Sequence, residues 1–570
     1  MPGDAEIPGK RGLMTGSFSV SGNIVDVLNR KIYPGTVFVA AGKIAKIERG
    51  RERYETWIVP GLVDAHVHVE SSMLPPSEFA RIATVHGTVA TVSDPHEIAN
   101  VLGMEGVEYM IDDGKRVPFK FSFSAPSCVP ASPFETSGAV LGTEEIGRLL
   151  DRDQIRYLGE MMNFPGVLHG DPAVMEKIEG ARRRGKVVDG HAPGLRGPDL
   201  EAYVRAGITT NHESLSREEA VEDMDRGMFL QIRHGSAASL FEECLSLLGT
   251  RSPSCMLCSD DKHPHDLVKG HINEMVARAL RAGIDVMDIL TAATVNPVRH
   301  YGLDVGLLRP GDDADFLEVD LFHGFKILTN RVRGVLAAEN GSPRIPRQPV
   351  RPVNRFACGT KQPGDFVVPA GRGLLRVIRA VEGQVFTGRT AMEPSLENGA
   401  ALSDVGRDLL KIAVVNRYGE SPPALGFVHG FGLREGAIAS SVAHDSHNIV
   451  AVGTTDGALC RAVNLLVESR GGIAAVNGAG GEAVLPLPVG GLMSDRPYDD
   501  VAGGYLTLDR MARDMGSTLS APFMTLSFMC LTVIPRLKLS DRGLFDGDRF
   551  AFTGLFDGDA REEAHGAEKP

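Results

Sequence analysis

The feature that most constrains the fold is a series of short apolar runs between residues 58 and about 305, each ending in polar or ionisable residues. Amphipathic stretches of helical character separate consecutive runs. In chain order the eight runs are IVPGLVDAHVH, TVATVSDP, KFSFSAPS, YLGEMMN, GKVVDGHAP, ITTNHES, FLQIRHGS and CMLCSDD. Eight strands that alternate with helices over about 250 residues are what a (β/α)8 barrel requires. The sequence therefore predicts an α/β fold whose catalytic barrel spans residues 58–305.

Further units are expected on both sides of the barrel, because a chain of 570 residues is too long for a single core. Short β-branched runs predict a small β-sandwich domain built from residues 17–57 and completed by 306–340. The proline- and arginine-rich stretch GSPRIPRQPVRPVNR lies in a predicted linker, 341–365. Residues 366–545 are predicted to form a C-terminal α/β domain, and 546–570 a disordered tail.

Composition excludes several classes of protein. The formal charge of −13 gives no global attraction to a polyanion, so we expect no nucleic-acid partner. No apolar run approaches the ~18 residues of a membrane span, and the first residues lack the apolar stretch of a secretory signal. We therefore expect a soluble, cytoplasmic protein with no membrane partner. The seven cysteines form an odd, scattered set and are predicted to be reduced thiols.

Ligand-type residues recur where the apolar runs end. Because side chains alternate along a strand, His66 and His68 lie on the same face of the first run. Active sites of such barrels lie at the carboxyl ends of the strands, so all these residues are expected to meet at one mouth. The set is His66, His68, Asp94, His96, Glu160, His191, His212, Asp260 and Asp261. A single histidine is more often structural, but the joint pattern predicts a metal site.

Six sequence blocks resemble those of the bacterial adenine deaminases, a family of the amidohydrolase superfamily. They are PGLVDAHVHVESSMLPPSEFA, SDPHEIANVLG, DGHAPGL, GITTNHES, CSDDKHPHDLVKGHI and GAIASSVAHDSHNIVAVGTTD. The resemblance runs from about residue 18 to 545. The HDSHN and GLMSD blocks are particular to this family, whereas the superfamily as a whole does not share them.

The resemblance implies a binuclear site for Mn²⁺ or Fe²⁺. In that site, His66 and His68 would bind one ion and Glu160 would bridge both. His191 and His212 would bind the second ion, and Asp260 would complete the first. The implied activity is the hydrolytic deamination of adenine, a small-molecule purine base, to hypoxanthine and ammonia, as in purine salvage. A homo-oligomer, most simply a dimer, is also expected.

The chemistry of such a site agrees with that activity. Two divalent ions can lower the pKa of a shared water to about 7, which supplies a hydroxide to attack C6 of adenine. We expect Asp260 to carry a proton to the leaving amine. On the other side of the base, His96 or Glu97 is expected to polarise the substrate or to relay a proton. Glu160 joins the predicted catalytic set through its bridging position.

Three positions depart from the family pattern and leave the substrate open. Asn211 stands where aspartate is usual, and His234 where glutamate is usual. Asn416-Arg417-Tyr418 lacks the histidine that often follows this arginine. The alternatives are therefore another 6-substituted purine, a cyclic amide as in other amidohydrolases, or a catalytically inactive barrel kept for binding.

Two further motifs need a decision. His68-Val-Glu70 with Cys255-Met-Leu-Cys258 superficially matches the zinc nucleobase deaminases, but the expected proline is misplaced by one residue. We predict that these cysteines pack in the core. His444 and His447 are either an extra metal or interface site or part of a capped loop near the active-site mouth.

Overall fold

The computed structural model describes residues 16–236, 238–321 and 323–558. Before the barrel, the chain forms four strands: β1 (Phe18–Asp26), β2 (Lys31–Ala40), β3 (Lys43–Arg49) and β4 (Trp57–Pro60). β2 pairs antiparallel with both β1 and β3, whereas β4 runs parallel to β1. Gly61 then separates β4 from the first barrel strand.

The next eight strands are parallel and close into a ring. They are β5 (Leu62–Val67), β6 (Thr88–Ser93), β7 (Lys120–Ala125), β8 (Ile155–Met161), β9 (Val187–Gly190), β10 (Thr210–Asn211), β11 (Phe229–Arg233) and β12 (Cys255–Cys258). Ladders join β5 through β9 and β10 through β12. Parallel bridges from Val188 to Ile208 and from Val67 to Asp260 connect the two sets. The predicted (β/α)8 barrel is confirmed.

Helices follow the barrel strands and cover them, so β5 and β6 are buried along their whole length. The helices of this region are α1 (Pro76–Val85), α2 (His96–Leu102), α3 (Met104–Gly114), α4 (Thr143–Leu150), α5 (Phe164–His169), α6 (Pro172–Arg183), α7 (Gly197–Arg205), α8 (Arg217–Asp225), α9 (Phe241–Thr250), α10 (Pro264–Leu267), α11 (Ile272–Arg281), α12 (Val286–Leu290) and α13 (Asn296–His300).

After the barrel, the chain returns to the first sheet. It adds β13 (Phe316–Asp320), β14 (Lys326–Val332), β15 (Val335–Glu339) and β16 (Ser342–Pro343). Because β13 pairs antiparallel with β4, one eight-stranded sheet results, in the order β16-β15-β14-β13-β4-β1-β2-β3. The flanking β unit is thus built from both sides of the barrel, as the sequence predicts. Its description as a sandwich with bounds 17–57 and 306–340 remains a proposal.

The C-terminal region is built on a second eight-stranded sheet, of order β19-β18-β23-β22-β25-β24-β26-β27, with α14 packed on it. Its strands are β17 (Val368–Pro369), β18 (Leu375–Arg379), β19 (Gly388–Met392), β20 (Ser395–Glu397), β21 (Ala400–Leu402), β22 (Leu409–Val415), β23 (Ala424–His429), β24 (Ala437–Ser440), β25 (Ile449–Gly453), β26 (Gly472–Val476), β27 (Glu482–Pro486), β28 (Leu537–Ser540), β29 (Gly543–Asp546) and β30 (Ala551–Phe552). Its helices are α14 (Asp456–Ser469), α15 (Tyr498–Asp514) and α16 (Pro522–Ser527). The bounds 341–365 and 366–545 remain proposals.

The predicted disordered tail, 546–570, begins as ordered structure. β30 pairs with β29, and the rings of Phe550 and Phe552 pack against Phe134 with centroids 5.1 and 5.6 Å apart. These aromatic contacts offset the polar composition of the segment. The rest of the predicted tail, 559–570, lies outside the described residues.

The C-terminal unit covers the mouth of the barrel. The backbone N–H of Ser494 donates to the carbonyl of Met73 at 2.8 Å, and the side chain of Asn448 donates to the carbonyl of Thr136 at 2.8 Å. An apolar core is continuous across the two units. Among the described residues, we find no helix with the length and hydropathy of a membrane span.

Candidate metal centre and substrate pocket

The carboxyl ends of five barrel strands bring the six predicted metal ligands together. All six side chains are buried: His66, His68, Glu160, His191, His212 and Asp260. Several subsets of three place their nitrogen and oxygen atoms within 4.8 Å of one another. Four imidazoles and two carboxylates form a donor set suited to divalent transition metals.

Glu160 lies between two groups of histidines. Its Oε1 is 3.2 Å from Nε2 of His68 and 4.0 Å from Nε2 of His66. Its Oε2 is 2.8 Å from Nδ1 of His191 and 3.1 Å from Nε2 of His212. Burial opposes ionisation of Glu160, but the neighbouring histidines outweigh it and hold its pKa well below the ordinary value. Each oxygen of the Glu160 carboxylate therefore faces a different pair of imidazoles.

Asp260, two residues beyond the end of β12, faces the first of these groups. Its Oδ1 is 3.2 Å from Nε2 of His68 and 3.7 Å from Nε2 of His66, and its Oδ2 accepts from Arg233 at 2.8 Å. Its backbone adopts the left-handed region, φ 52°, which aspartate tolerates better than most residues. Burial raises its pKa, but Arg233 and His68 outweigh burial and hold the pKa well below the ordinary value. Asp260 is thus an oriented, ionised carboxylate.

Asp94, at the end of β6, positions neighbouring groups. Its side chain accepts from the hydroxyl of Ser124 at 2.7 Å and from the backbone N–H of Glu160 at 2.9 Å. Gly159 makes this approach feasible, because a Cβ at that position would lie 2.2 Å from the carboxylate. The carbonyl of Asp94 bonds to Nδ1 of His68 at 3.1 Å, which leaves Nε2 of that ring facing the cluster.

The predicted relay residues, His96 and Glu97, lie beside this cluster at the start of α2. Nδ1 of His96 is 3.4 Å from Oε1 of Glu160, and its Nε2 is 3.4 Å from Oε1 of Glu97. His444 and His447 of the C-terminal unit both contact the Glu97 carboxylate, His444 through Nδ1 at 2.6 Å. Burial disfavours the charge on Glu97, but His444 and then His447 outweigh it and hold its pKa well below normal.

The pKa values of the two C-terminal histidines shift in opposite directions. Burial lowers the pKa of His444, but Glu97 and Asp261 outweigh it and raise the pKa to about 9. Burial dominates at His447 and lowers its pKa to about 4. The backbone N–H of Ala443 donates to Nδ1 of His447, so the proton of that neutral ring lies on Nε2, toward Glu97.

A pocket lies over the cluster and is lined by both units. The barrel contributes His68, His96, Glu97, Glu160, Met162, His191, His212, Glu213, Arg233, Asp260 and Asp261. The C-terminal unit contributes Val385, His444, Asp445, Phe528, Leu531 and Ile534. The barrel surface is therefore dense in charge, whereas the C-terminal surface is largely apolar and carries two polar side chains.

Sequence reasoning missed the apolar lining of this pocket and three of its charged residues, Arg233, Glu213 and Asp445. Arg233 bonds both Asp260 and Glu213, with Nη2 3.0 Å from Oε1 of Glu213. It ends the FLQIRHGS run, so the strand-end rule could have identified it together with Glu213. Asp445 lies 185 positions beyond Asp260, and its place in the pocket has no signal in the barrel pattern.

The departures suspected of altering the pocket lie outside its lining. Asn211 is a buried brace that donates to Asp223 at 2.9 Å. His234 bonds to Ser239 and Arg278, each at 3.0 Å, on a partly exposed surface. Tyr418 donates to the carbonyl of Ser446 at 2.6 Å, beside the pocket loop.

The two cysteines of the Cys255-Met-Leu-Cys258 motif lie in β12 as buried free thiols, which is consistent with core packing.

Comparison with known proteins identifies the family of this chain. Residues 57–343 match the amidohydrolase family, and the chain belongs to that class of metal-dependent hydrolases. Residues 384–551 match the adenine deaminase C-terminal domain. A relative named adenine deaminase from Salinibacter ruber is 56% identical over 545 residues, 95% of this chain and 100% of the relative. Those from a Sulfurovum species and Methanosarcina acetivorans are 53% and 50% identical, covering 93% and 94% of this chain and 98% and 99% of themselves. The chain is a member of the adenine deaminase family.

Proposed function

We propose that the protein deaminates adenine hydrolytically, converting adenine and water to hypoxanthine and ammonia. One observation carries the proposal: the two oxygens of Glu160 each face a separate pair of histidines beneath a pocket lined by both matched units. Its similarity to proteins named adenine deaminase over nearly their whole length supports adenine as the substrate.

The residues present fit a pair of divalent ions. Nε2 of His66, His68 and His212 and Nδ1 of His191 all face the Glu160 carboxylate, so four buried ring nitrogens converge on one anionic group. Nε2 of His66 and Nε2 of His68 lie 3.3 Å apart, a close approach that a shared cation would stabilise. His66, His68 and Asp260 would hold one ion, His191 and His212 the other, with Glu160 between them. Such ions, when bound, activate water and stabilise negative charge. We propose Mn²⁺ or Fe²⁺.

The chain's own side chains handle the protons. Asp260, held in position by Arg233 at 2.8 Å, would take a proton from the attacking water at its carboxylate and deliver it to the departing amine. His96 would donate to a ring nitrogen of the base, because Glu97 and Asp94 outweigh burial and raise its pKa well above the ordinary value. The second proton of the water, released from the C6 hydroxyl as the carbonyl forms, would return to His96, whose Nε2 lies 3.4 Å from Oε1 of Glu97.

The test is ammonia release by metal-free protein reconstituted anaerobically with Mn²⁺ or Fe²⁺. We expect hypoxanthine and ammonia in equal amounts from adenine, dependent on two bound ions per chain. If the enzyme turns over another 6-substituted purine or a cyclic amide but not adenine, that compound class is the substrate and adenine is not. No tightly bound metal and no turnover would favour an inactive barrel.

A cytoplasmic location and a homodimer are further proposals. Analytical ultracentrifugation of the purified protein tests the dimer.

A further inference from the structure

The loop between β24 and β25 brings one carboxylate of the C-terminal unit into the pocket. Asp445 is buried and lines the pocket beside His444 and Phe528. Within the described part of the chain, its Oδ2 has no hydrogen-bond partner. Its ion-pair contact with Nε2 of His96 measures 4.0 Å, beyond hydrogen-bond distance. Asp445 therefore presents an unsatisfied acceptor to whatever molecule occupies the pocket.

The imidazole of His96 separates this acceptor from the metal-binding cluster. Nδ1 of His96 is 3.4 Å from Oε1 of Glu160, whereas Nε2 at the other end of the ring faces Oδ2 of Asp445. A flat bicyclic base bound beside this ring would have one end near Glu160 and the other near Asp445. Phe528, Leu531 and Ile534 supply the apolar surface that such a ring system needs.

The proposed reaction limits which atom of the base can satisfy Asp445. Adenine has two kinds of N–H donor, the exocyclic amine on C6 and one N–H on its five-membered ring. The amine must face the cluster formed around Glu160, because C6 is the carbon that water attacks. The N–H of the five-membered ring is then the donor left for the far end of the pocket, where Asp445 lies.

We propose that Asp445 accepts a hydrogen bond from the ring N–H of the substrate and thereby restricts the site to free purine bases. The inference rests on the proposed function and names the determinant of its substrate class. A nucleoside or N-alkylated base replaces the donor by carbon, which leaves a buried carboxylate unpaired. Sites built on such a bond reject analogues that lack it by roughly 10⁴-fold.

The test compares adenine with 9-methyladenine in the metal-reconstituted enzyme. Wild type should prefer adenine in kcat/KM by roughly 10⁴-fold. In Asp445→Ala, kcat/KM for adenine should fall roughly 10²-fold. The ratio of kcat/KM for adenine to kcat/KM for 9-methyladenine should shrink to within roughly tenfold, because neither base can now make the hydrogen bond. Metal content should stay at the wild-type level. Glu135→Gln is the matched control, because Glu135 is a buried carboxyl of the same neighbourhood that does not line the pocket.

The outcomes separate this inference from the proposed function. If wild type deaminates adenine and Asp445→Ala keeps the full preference over 9-methyladenine, Asp445 does not recognise the ring N–H and the inference is overturned. If wild type releases no ammonia, the proposed function fails. Calorimetric binding of the two bases then still tests recognition, and equal or absent binding overturns it. Asp445→Asn, which keeps an acceptor oxygen, should retain part of the preference and guards against a folding defect.

Discussion

The two surfaces of the pocket differ in what they are made of. The barrel surface carries most of the imidazoles and carboxylates, together with Arg233. These residues lie at the ends of the barrel strands or shortly after them. The C-terminal surface carries Phe528, Leu531 and Ile534, with Asp445 and His444 as its polar side chains. The comparison indicates that the strand ends supply most of the ionisable side chains and the covering unit supplies most of the apolar surface.

The shortest contacts between buried charged groups of the two surfaces involve Glu97. It belongs to the barrel but is held by His444 and His447. Docking of the C-terminal unit therefore completes the polar network of the barrel mouth.

Replacing Glu160, which lies between the two histidine groups, should have the largest effect on metal binding and turnover. In Glu160→Gln, we expect bound metal to fall below two ions per chain and kcat/KM for adenine to fall on the order of 10⁴-fold or more, because a shared anionic ligand is lost. Elemental analysis after dialysis and an ammonia assay measure both effects. Glu135→Gln should keep both ions, and full metal retention in Glu160→Gln would contradict its place between them.

Altering the proposed proton carrier should spare the metal while removing turnover. In Asp260→Asn, we expect two ions to remain and kcat to fall on the order of 10³-fold, the scale of lost general acid–base catalysis. Stopped ammonia assays and metal analysis of the same sample are the measurement. Asp113→Asn, which changes a buried aspartate of α3 bonded to Ser77 and Arg116, is the control. A fully active Asp260→Asn enzyme would remove Asp260 from this role.

Loosening the C-terminal surface should affect binding of the base more than chemistry. Lys538 is fully buried, its pKa is lowered to about 7 by burial, and its amine donates to the carbonyls of Phe528 and Val385 at 2.8 and 3.1 Å. In Lys538→Met we expect KM to rise about tenfold with little change in kcat, because two hydrogen bonds that place pocket-lining residues are lost.

Steady-state kinetics test this split. Lys411→Met is the matched control, because Lys411 is an equally buried lysine that donates instead to the carbonyl of Phe366 and to Asp456. An equal rise of KM in both variants would point to general loosening of the domain, and a fall in kcat alone in Lys538→Met would contradict the assignment.

The smallest expected effect concerns stability and lies behind the pocket. Burial, followed by the charge of Asp445, raises the pKa of Glu135 to about 8, against weaker opposition from Ser446 and Ser132. Between about pH 4.5 and 8 the folded protein therefore keeps a proton that the unfolded chain releases. Stability should fall with rising pH across this window by at most about 1.4 kcal/mol per pH unit from this group.

Glu135→Gln removes that titration. The difference in the free energy of unfolding between variant and wild type, from urea denaturation at pH 5 to 8, should grow in favour of the variant as pH rises. A difference that is constant with pH would show that Glu135 is ionised in the folded protein.

How far the sequence alone predicts this molecule differs between elements. The barrel follows from eight runs of regular spacing, and His66 and His68 follow from the two-residue period of a strand. The composition after residue 546 predicts disorder, whereas Phe550 packs on Phe134, a contact between positions more than 400 residues apart that local sequence does not reveal. Asn211 and His234 drew suspicion by identity alone, whereas their contacts place them outside the pocket lining.

By itself, the sequence determined the barrel, the flanking sheet from both sides and the six side chains that meet at the strand ends. Each of these follows from local periodicity combined with the rule that parallel strands end at one mouth. Only the tertiary structure decided that Arg233 holds Asp260, that His444 holds Glu97 and that Asp445 faces the pocket. Those pairings depend on side-chain direction and on how two units dock, and a distance of 2.6 Å between residues 97 and 444 has no signature in their local sequences.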